Sequence, residues 1–216
     1  SLCTENFKQL RSIEHQSEPE FLAGLRSVLM DQAVASVHPQ NPSNSPELTS
    51  DRLRRFLKDL PLLHQELVFL KLAGYSDPTL EAIFRITPAA AQKSVERLPA
   101  EFGYVSPHNV DACLFPAAWL QLQKQARTER AEACPPLRRF VQIQDGQAGW
   151  YDKEPAETHL ASCLHCLEAW TGLREVKHWR SAAPPIPADE VEKLLARLPV
   201  QQRRKRAKPL FKRMFG

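Results

Sequence analysis

Apolar residues recur at three- and four-residue spacing along most of this chain, a pattern that predicts helices rather than strands. The first such stretch begins at Glu18-Pro19-Glu20, and Phe21, Leu25 and Leu29 share one of its faces. We therefore expect an all-α fold. The same spacing predicts further helices over Leu53 to Leu60, Leu63 to Leu72, Leu80 to Phe84, Pro88 to Leu98, Trp119 to Ala133, Leu137 to Gln144, Glu154 to Val176 and Pro187 to Leu198.

Proline-rich stretches divide these helices into groups. Three prolines lie among small polar residues at 38–46, which is typical of a linker, and a second such stretch begins at Ala182. These breaks predict five segments: a helical segment at 1–37, a linker at 38–46, a helical domain at 47–105, a connecting helix with a helical hairpin at 106–181, and a Pro-rich linker, short helix and basic tail at 182–216.

Two capping signals in succession mark the domain at 47–105. Ser76-Asp77-Pro78 begins one short helix, and Ile86-Thr87-Pro88 begins the next after a tight turn. Two short helices in this order are the layout of a helix-turn-helix, whose second helix enters the DNA major groove in many DNA-binding proteins.

Residues 59–98 also resemble region 4 of the extracytoplasmic-function sigma factors. The resemblance implies a helix-turn-helix that reads the −35 promoter element, with RNA polymerase as partner. The segment from Phe21 to Ala35 is similar to the last helix of region 2 in the same family, so residues 1–37 resemble a remnant of that region. The region 4 resemblance rests on Leu60-Pro61, Glu66 to Lys71, Gly74-Tyr75-Ser76, Leu80 to Phe84 and Ile86-Thr87.

The helix that would contact DNA carries few basic residues. Base readout needs hydrogen-bond donors, and phosphate contacts need several positive charges. Here the acidic Glu96 lies beside the few basic residues of the helix. Glu81 and Arg85 also replace the small residue and the glycine that are usual in the family. A working DNA reader and a sigma-derived domain that has lost DNA binding both remain open. The candidate DNA contacts are Thr87, Gln92, Lys93, Ser94 and Arg97.

A cluster of metal-ligand residue types lies near position 160. On one continuous helix His159, Cys163 and Cys166 would fall within about 60° of one another, so they would share a face. Cys134, twenty-five residues upstream of His159, is the natural fourth ligand for a tetrahedral zinc ion. His165 is the rival nitrogen, but it lies roughly 120° from His159 and should face water.

This spacing resembles the zinc-binding anti-sigma domain, in which an upstream His or Cys precedes His-x3-Cys-x2-Cys. The resemblance implies a zinc-bound helical hairpin that binds a sigma factor. Four protein ligands leave no open position for water, so the zinc would be structural rather than catalytic. Two other interpretations remain: the thiols are buried core residues without metal, or the thiolates form a redox-sensing centre.

Composition and charge narrow the function classes further. The 216 residues are 43% hydrophobic, and the start has neither the basic region nor the apolar core of a signal peptide, so we expect a cytoplasmic protein. The odd count of five cysteines argues against a secreted disulfide framework. No paired acid and base suggests an active site, so we expect no enzyme.

The basic charge is confined to the carboxyl-terminal tail. Residues 201–216 contain seven Lys or Arg and no acid, so their charge is larger than the formal charge of +4 of the whole chain. Residues 1–200 therefore carry a net negative charge. That body lacks the broad positive surface of nonspecific nucleic-acid binders. The tail is consistent with a solvated segment, a nucleic-acid contact or an anchor to anionic lipid.

The two resemblances together imply a bacterial transcription regulator of the sigma-factor type. A fused anti-sigma-like zinc domain would govern whether it engages promoter DNA or RNA polymerase. The alternative is an adaptor without DNA binding that binds a sigma factor, an anti-sigma factor or another partner.

Overall fold

The computed structural model describes residues 12–13, 15–36, 48–102 and 117–197. The predicted linker at 38–46, the basic tail from Arg203, Cys3 and Cys113 lie outside them. The described residues form helices and no strands, so the all-α prediction is confirmed for this part of the chain. The helices are α1 (Glu18–Ser36), α2 (Ser50–Leu57), α3 (Leu62–Leu72), α4 (Asp77–Phe84), α5 (Pro88–Val95), α6 (Leu98–Phe102), α7 (Ala117–Thr128), α8 (Leu137–Gln144), α9 (Trp150–Leu160), α10 (Leu164–Ala182) and α11 (Ala188–Arg197).

Local sequence explains where α2 and α3 begin and end. The Thr49 side chain accepts a hydrogen bond from the Arg52 backbone N–H and caps α2. Pro61 precedes α3, where its missing N–H costs no helical hydrogen bond. Gly74 follows α3 with φ 96°, a left-handed conformation that glycine adopts without strain, and it ends the helix.

A tight turn joins α4 to α5. Arg85 adopts the left-handed conformation there, with φ 55° and ψ 43°, and its N–H donates to the Glu81 carbonyl at 2.7 Å. This conformation costs a non-glycine residue about 1 kcal/mol or more, so the turn is strained at Arg85. The turn lets α5 pack against both α3 and α4.

The larger apolar core contains residues from each of the helices α2 through α7 and from the beginning of α10. Val68, Phe69 and Leu70 of α3 are fully buried at its centre, and the rings of Phe69 and Trp119 meet edge to face at 4.4 Å. Trp119 is therefore a core residue. Leu164 and Leu167 of α10 belong to the same cluster, so α10 closes this core from one side.

A second apolar cluster lies within residues 134–181, which we call the ligand segment. Phe140 of α8, Leu160 of α9 and Trp170 of α10 are buried in it, with Cys134 and Cys166 at one end. Its helices begin and end differently from the sequence prediction. Helix α9 starts at Trp150 rather than near Glu154-Pro155, because Gly149 lies in an extended conformation and accepts the first hydrogen bonds of the helix.

The connecting helix α7 is shorter than predicted. It ends at Thr128 rather than near Ala133, and the Thr128 hydroxyl donates to the Gln125 carbonyl at 2.8 Å. A threonine that bonds its own backbone in this way competes with continuation of the helix. Cys134 is therefore reached through a turn rather than carried by the helix.

Buried charges attach α1 to α10. Helix α1 packs against α7 and α8, and Arg26 points from it into the protein. The Arg26 guanidinium lies 2.6 Å from a Glu168 oxygen and 2.5 Å from a Glu175 oxygen. Burial opposes the charged guanidinium, but Glu175 and Glu168 outweigh that effect and raise the pKa of Arg26. Arg26 therefore remains charged inside the fold.

The chain separates into two compact units. One is Glu14–Ser181, which contains both apolar clusters, and the other combines Ser1–Ile13 with Ala182–Gly216. In the described part of the second unit, α11 carries Asp189 and Glu190 in its first turn, where acids favour the helix dipole. Among the described residues, no helix combines the length and the apolar character needed to cross a membrane.

Candidate metal centre

Cys134 lies directly before α8, where two prolines set the direction of the chain. Its Sγ accepts a hydrogen bond from the Ala131 N–H at 3.3 Å, and its side chain is buried. Pro135 and Pro136 follow, and the extended Pro136 starts α8 at Leu137. The turn and the prolines together hold the thiol at the end of the second apolar cluster.

The other three ligand residues lie at the junction of α9 and α10. His159 belongs to the last turn of α9, Cys163 lies between the helices, and Cys166 belongs to the first turn of α10. The prediction that one continuous helix carries all three is therefore wrong. The Ser162 hydroxyl donates to the His159 carbonyl at 3.1 Å, and such a local bond competes with the helical pattern.

The junction nevertheless keeps the ligands together. The Cys163 N–H donates to the His159 carbonyl at 3.0 Å, so one helical hydrogen bond spans the break. The chain thereby returns Cys163 to the side of His159, as the sequence spacing predicted. The donor atoms of Cys134, His159, Cys163 and Cys166 all lie within 4.8 Å of one another, so these residues could hold a metal ion.

His159 supplies an independent sign that the cluster is a binding site. Its Nε2 is shielded from solvent and has no hydrogen-bond partner in the described part of the chain. A buried polar nitrogen without a partner costs about 1–3 kcal/mol, whereas a metal ion would satisfy it. The residues present therefore fit a metal with one imidazole and three thiolate ligands.

Burial also affects the protonation of the Cys166 thiol. Burial, with smaller effects from the neighbouring thiols Cys134 and Cys163, raises the pKa of Cys166 well above its usual range. A thiol in this environment is protonated at neutral pH when no cation is near. A bound metal ion reverses the preference because it binds the thiolate directly, so metal binding must release protons.

His165 is only partly exposed to water, whereas it was predicted to face water. It is half-buried, and its Nδ1 lies 3.1 Å from the Ala126 carbonyl of α7. The turn that carries Cys163 and Cys166 is therefore hydrogen-bonded to the end of α7. His165 is not part of the ligand cluster, in agreement with its exclusion from the predicted ligand set.

The candidate DNA contacts lie apart from this cluster, on and beside α5. Thr87 begins the helix, Gln92 and Lys93 are exposed along it, and Arg97 follows its end. The Arg97 guanidinium lies over the Phe56 ring of α2 at 5.3 Å, and the Ser94 side chain lies outside the described residues. DNA binding by these residues stays a prediction.

The ligand segment contacts the helices at 50–95 through polar side chains that sequence reasoning missed. Arg174 of α10 donates to the buried carboxylate of Glu66 in α3, and Trp179 Nε1 donates to the Tyr75 hydroxyl at 2.7 Å. Burial raises the pKa of Glu66, while Arg174 opposes that rise. Burial likewise raises the pKa of Glu175, with Arg26 and Tyr75 opposing it.

A signal for these buried charges was present in the sequence. Arg26 lies four residues from both Leu22 and Met30, and Glu168 lies four residues after Leu164, so each charge interrupts an apolar face. A charged residue at an apolar position predicts burial against an opposite charge. The sequence does not say which opposite charge is the partner.

Comparisons with protein families, with curated proteins and with solved structures find no match for this chain. The resemblances to sigma region 4 and to the anti-sigma domain therefore depend on the residues of this chain alone.

Proposed function

We propose that this chain is a bacterial transcription regulator of the sigma-factor type. In this proposal α4 and α5 are a helix-turn-helix that engages DNA or RNA polymerase, and the ligand segment is a fused anti-sigma-like zinc hairpin that governs this engagement. The observation that carries the proposal is that α10 packs on α3 and α4 within one compact unit. The sigma-like helices and the anti-sigma-like ligand segment resemble two proteins that bind each other as separate chains. In this protein the two modules are in contact within one chain.

Zinc is the metal that suits the cluster best. Three thiolates and one imidazole are a common donor set for structural zinc. Zinc–sulfur bonds of about 2.3 Å in a tetrahedron place two sulfurs about 3.8 Å apart, and the sulfurs of Cys134 and Cys163 lie 3.7 Å apart. All four positions would be filled by protein, so we assign zinc a structural role.

The helix-turn-helix assignment is supported by α4, its strained turn and the exposure of α5. Gln92 and Lys93 face solvent, so they are accessible to a groove or to polymerase. Helix α5 rests on α3 and α4, and α10 shares the larger core with α3 and contacts it through Arg174 and Glu66. The hairpin would therefore act on α5 indirectly, by holding the helices on which α5 rests.

The test compares the zinc-loaded full chain with the Cys163→Ser variant. We expect zinc loading to change both the mobility shift of a mixed-sequence DNA pool and the recovery of core RNA polymerase in a pull-down. Lys93→Ala should weaken DNA binding and reduce its salt dependence by about one phosphate contact. Lys124→Ala removes an exposed lysine of α7 and serves as the matched control.

Equal DNA and polymerase binding by the loaded chain, Cys163→Ser and Lys93→Ala would contradict the proposal. Deletion of the ligand segment is a poorer test. It would remove Leu164 and Leu167 from the larger core and expose α3 to solvent. Point variants keep that core intact.

The second candidate is an adaptor that binds a sigma factor, an anti-sigma factor or another partner without binding DNA. The composition of the α5 surface favours it, because Glu96 lies between Lys93 and Arg97 and the Arg97 guanidinium is engaged by Phe56. Recovery of a sigma or anti-sigma factor by the zinc-loaded chain, with no DNA shift at low salt, would select this candidate.

A further inference from the structure

A solvent-open cleft of about 590 Å³ lies between α4 and the ligand segment. Its apolar floor combines half-buried Ile83 and Phe84 of α4 with buried Ile143 of α8 and Trp170 of α10. This volume falls within the range of about 300–1,000 Å³ that is usual for binding pockets. The cleft is separate from the metal ligands and from the exposed face of α5.

Arg174 forms the inner wall of this cleft and is held on three sides. Its guanidinium donates to the buried Glu66 carboxylate and lies 5.3 Å from the centre of the Phe84 ring and 5.5 Å from that of Trp170. Cation–π contacts and a charge-assisted hydrogen bond fix the side chain in one position. The wall is therefore preorganised, and its charge is already balanced by Glu66.

The mouth of the cleft carries an excess of positive charge. Arg85, Lys153 and Lys177 line it, and Glu157 is the acidic residue among the described lining. Lys153 lies 3.7 Å from Glu157, and Lys177 lies 3.6 Å from Asp145 at the edge. Such exposed pairs contribute about 0–1 kcal/mol, so an incoming carboxylate can replace them.

Arg85 is the cation most available to a ligand. It is exposed, and its guanidinium forms no ion pair with any described residue. Its left-handed backbone places the arginine in the turn between α4 and α5, at the mouth of the cleft. A positive mouth contrasts with the net negative charge of residues 1–200.

We propose that this cleft binds a short acidic segment of a partner protein. One apolar side chain of that segment contacts the floor at half-buried Ile83 and Phe84, and its carboxylates contact Arg85 and Lys177. Nucleic acid fits less well. Base stacking needs open aromatic faces, but Trp170 is only 4% exposed and Arg174 covers Phe84.

The first test measures binding of a fluorescent synthetic peptide, one leucine flanked by glutamates, to the metal-loaded full chain by anisotropy. A peptide with glutamine for every glutamate and a peptide with serine for the leucine are the matched probes. We expect each change to weaken binding about tenfold or more, the size of a lost charge-assisted hydrogen bond or a lost apolar contact. Equal binding of all three peptides would overturn the proposal.

The second test places the peptide in the cleft. Arg85→Gly removes the cation, and glycine suits the left-handed backbone, so the variant should keep or raise the melting temperature. Its affinity for the acidic peptide should fall about tenfold. Lys177→Gln changes a largely exposed side chain and should also weaken binding. Arg138→Gln removes an exposed arginine of α8 outside the cleft and should leave affinity unchanged.

Competition decides between ligand classes. Excess unlabelled acidic peptide should displace the probe, whereas inorganic phosphate or duplex DNA at the same charge concentration should not. Displacement by phosphate would show a general anion site, and displacement by DNA would show a nucleic-acid site. Either result, or equal loss of affinity in Arg138→Gln and Arg85→Gly, overturns the assignment of an acidic peptide.

Discussion

The two apolar clusters of this protein are stabilised in different ways. The larger one has Leu53, Val68, Phe69, Leu70, Leu80 and Leu98 fully buried, so burial of apolar surface is its main source of stability. The smaller one buries a few side chains beside four metal-ligand residues. We expect a small cluster of this kind to depend on a bound metal for much of its stability. Helix α10 belongs to both, so it joins the two.

The largest effect on metal binding should come from loss of a metal ligand. We expect His159→Gln to abolish tight metal binding and, at free metal about 1,000 times the dissociation constant of the parent, to remove about 4 kcal/mol of stability. His165→Gln should keep the metal, because His165 bonds the Ala126 carbonyl rather than the cluster. Metal content and urea unfolding of the two variants would check this. Equal metal loss in both would contradict the assignment of the ligands.

Two phenylalanines allow a matched comparison of the clusters. Phe69 and Phe140 are 0% and 1% exposed, and each meets a tryptophan edge to face. We expect Phe69→Ala to cost about 3–5 kcal/mol in unfolding free energy while metal affinity changes little. Phe140→Ala should instead weaken metal affinity about 100-fold, because folding of its cluster is coupled to metal binding.

Competition with a chromogenic chelator would measure both affinities. If Phe140→Ala bound metal as tightly as the parent chain, the smaller cluster would be stable without metal, and the contrast between the clusters would fail.

A smaller effect should follow from Gly172→Ala at the buried ion network. A Cβ atom at Gly172 would lie 2.9 Å from Arg26 Nη1, so the guanidinium would have to leave Glu168 or Glu175. We expect a net loss of about 1–3 kcal/mol, although alanine favours helices by up to about 1 kcal/mol. Gly149→Ala, where nothing lies within 4 Å, is the steric control; it changes the N-cap of α9 without a clash and should cost less than about 1 kcal/mol.

The smallest effect should be a change in the pH dependence of stability. Burial raises the pKa of Glu66 above its ordinary value of 4.5, so the folded state holds that proton more tightly than the unfolded state. The stability contributed by protonated Glu66 is full below pH 4.5 and is lost as pH rises through the folded pKa. Glu66→Gln removes this titration.

The free energy of unfolding of the parent chain minus that of Glu66→Gln should therefore fall as pH rises above 4.5, by less than about 1.4 kcal/mol per pH unit. Urea unfolding at several pH values with constant metal loading would measure it. A difference that rises with pH would show that the ion pair with Arg174 lowers the pKa of Glu66 instead.

The sequence predicted the helices better than it predicted their ends. The apolar spacing in α1 and in α3 to α5 identified helices that the structure contains, because that spacing is a local property. The break at Ser162 and the end of α7 at Thr128 were missed, because side-chain to backbone bonds decided them. Leu63, assigned to an apolar face, is 41% exposed.

The ligand set followed from the sequence, although its geometry did not. The spacing of His159, Cys163 and Cys166, with Cys134 upstream, named all four residues that the fold brings together. The predicted continuous helix was wrong, yet the ligands converge because a helical hydrogen bond spans the junction. Residue types and spacing thus identified the site, and the turn positioned it.

By itself the sequence determined the helical class, the candidate metal-ligand residues and the capping signals around α4 and α5, because each depends on residue types and spacings that can be read along the chain. Only the tertiary structure decided which charges are buried and with which partners. Arg26 and Glu168 are 142 residues apart, and Glu66 and Arg174 are 108 apart. A charge can be buried only beside its opposite, and periodicity carries no information about a partner at that distance.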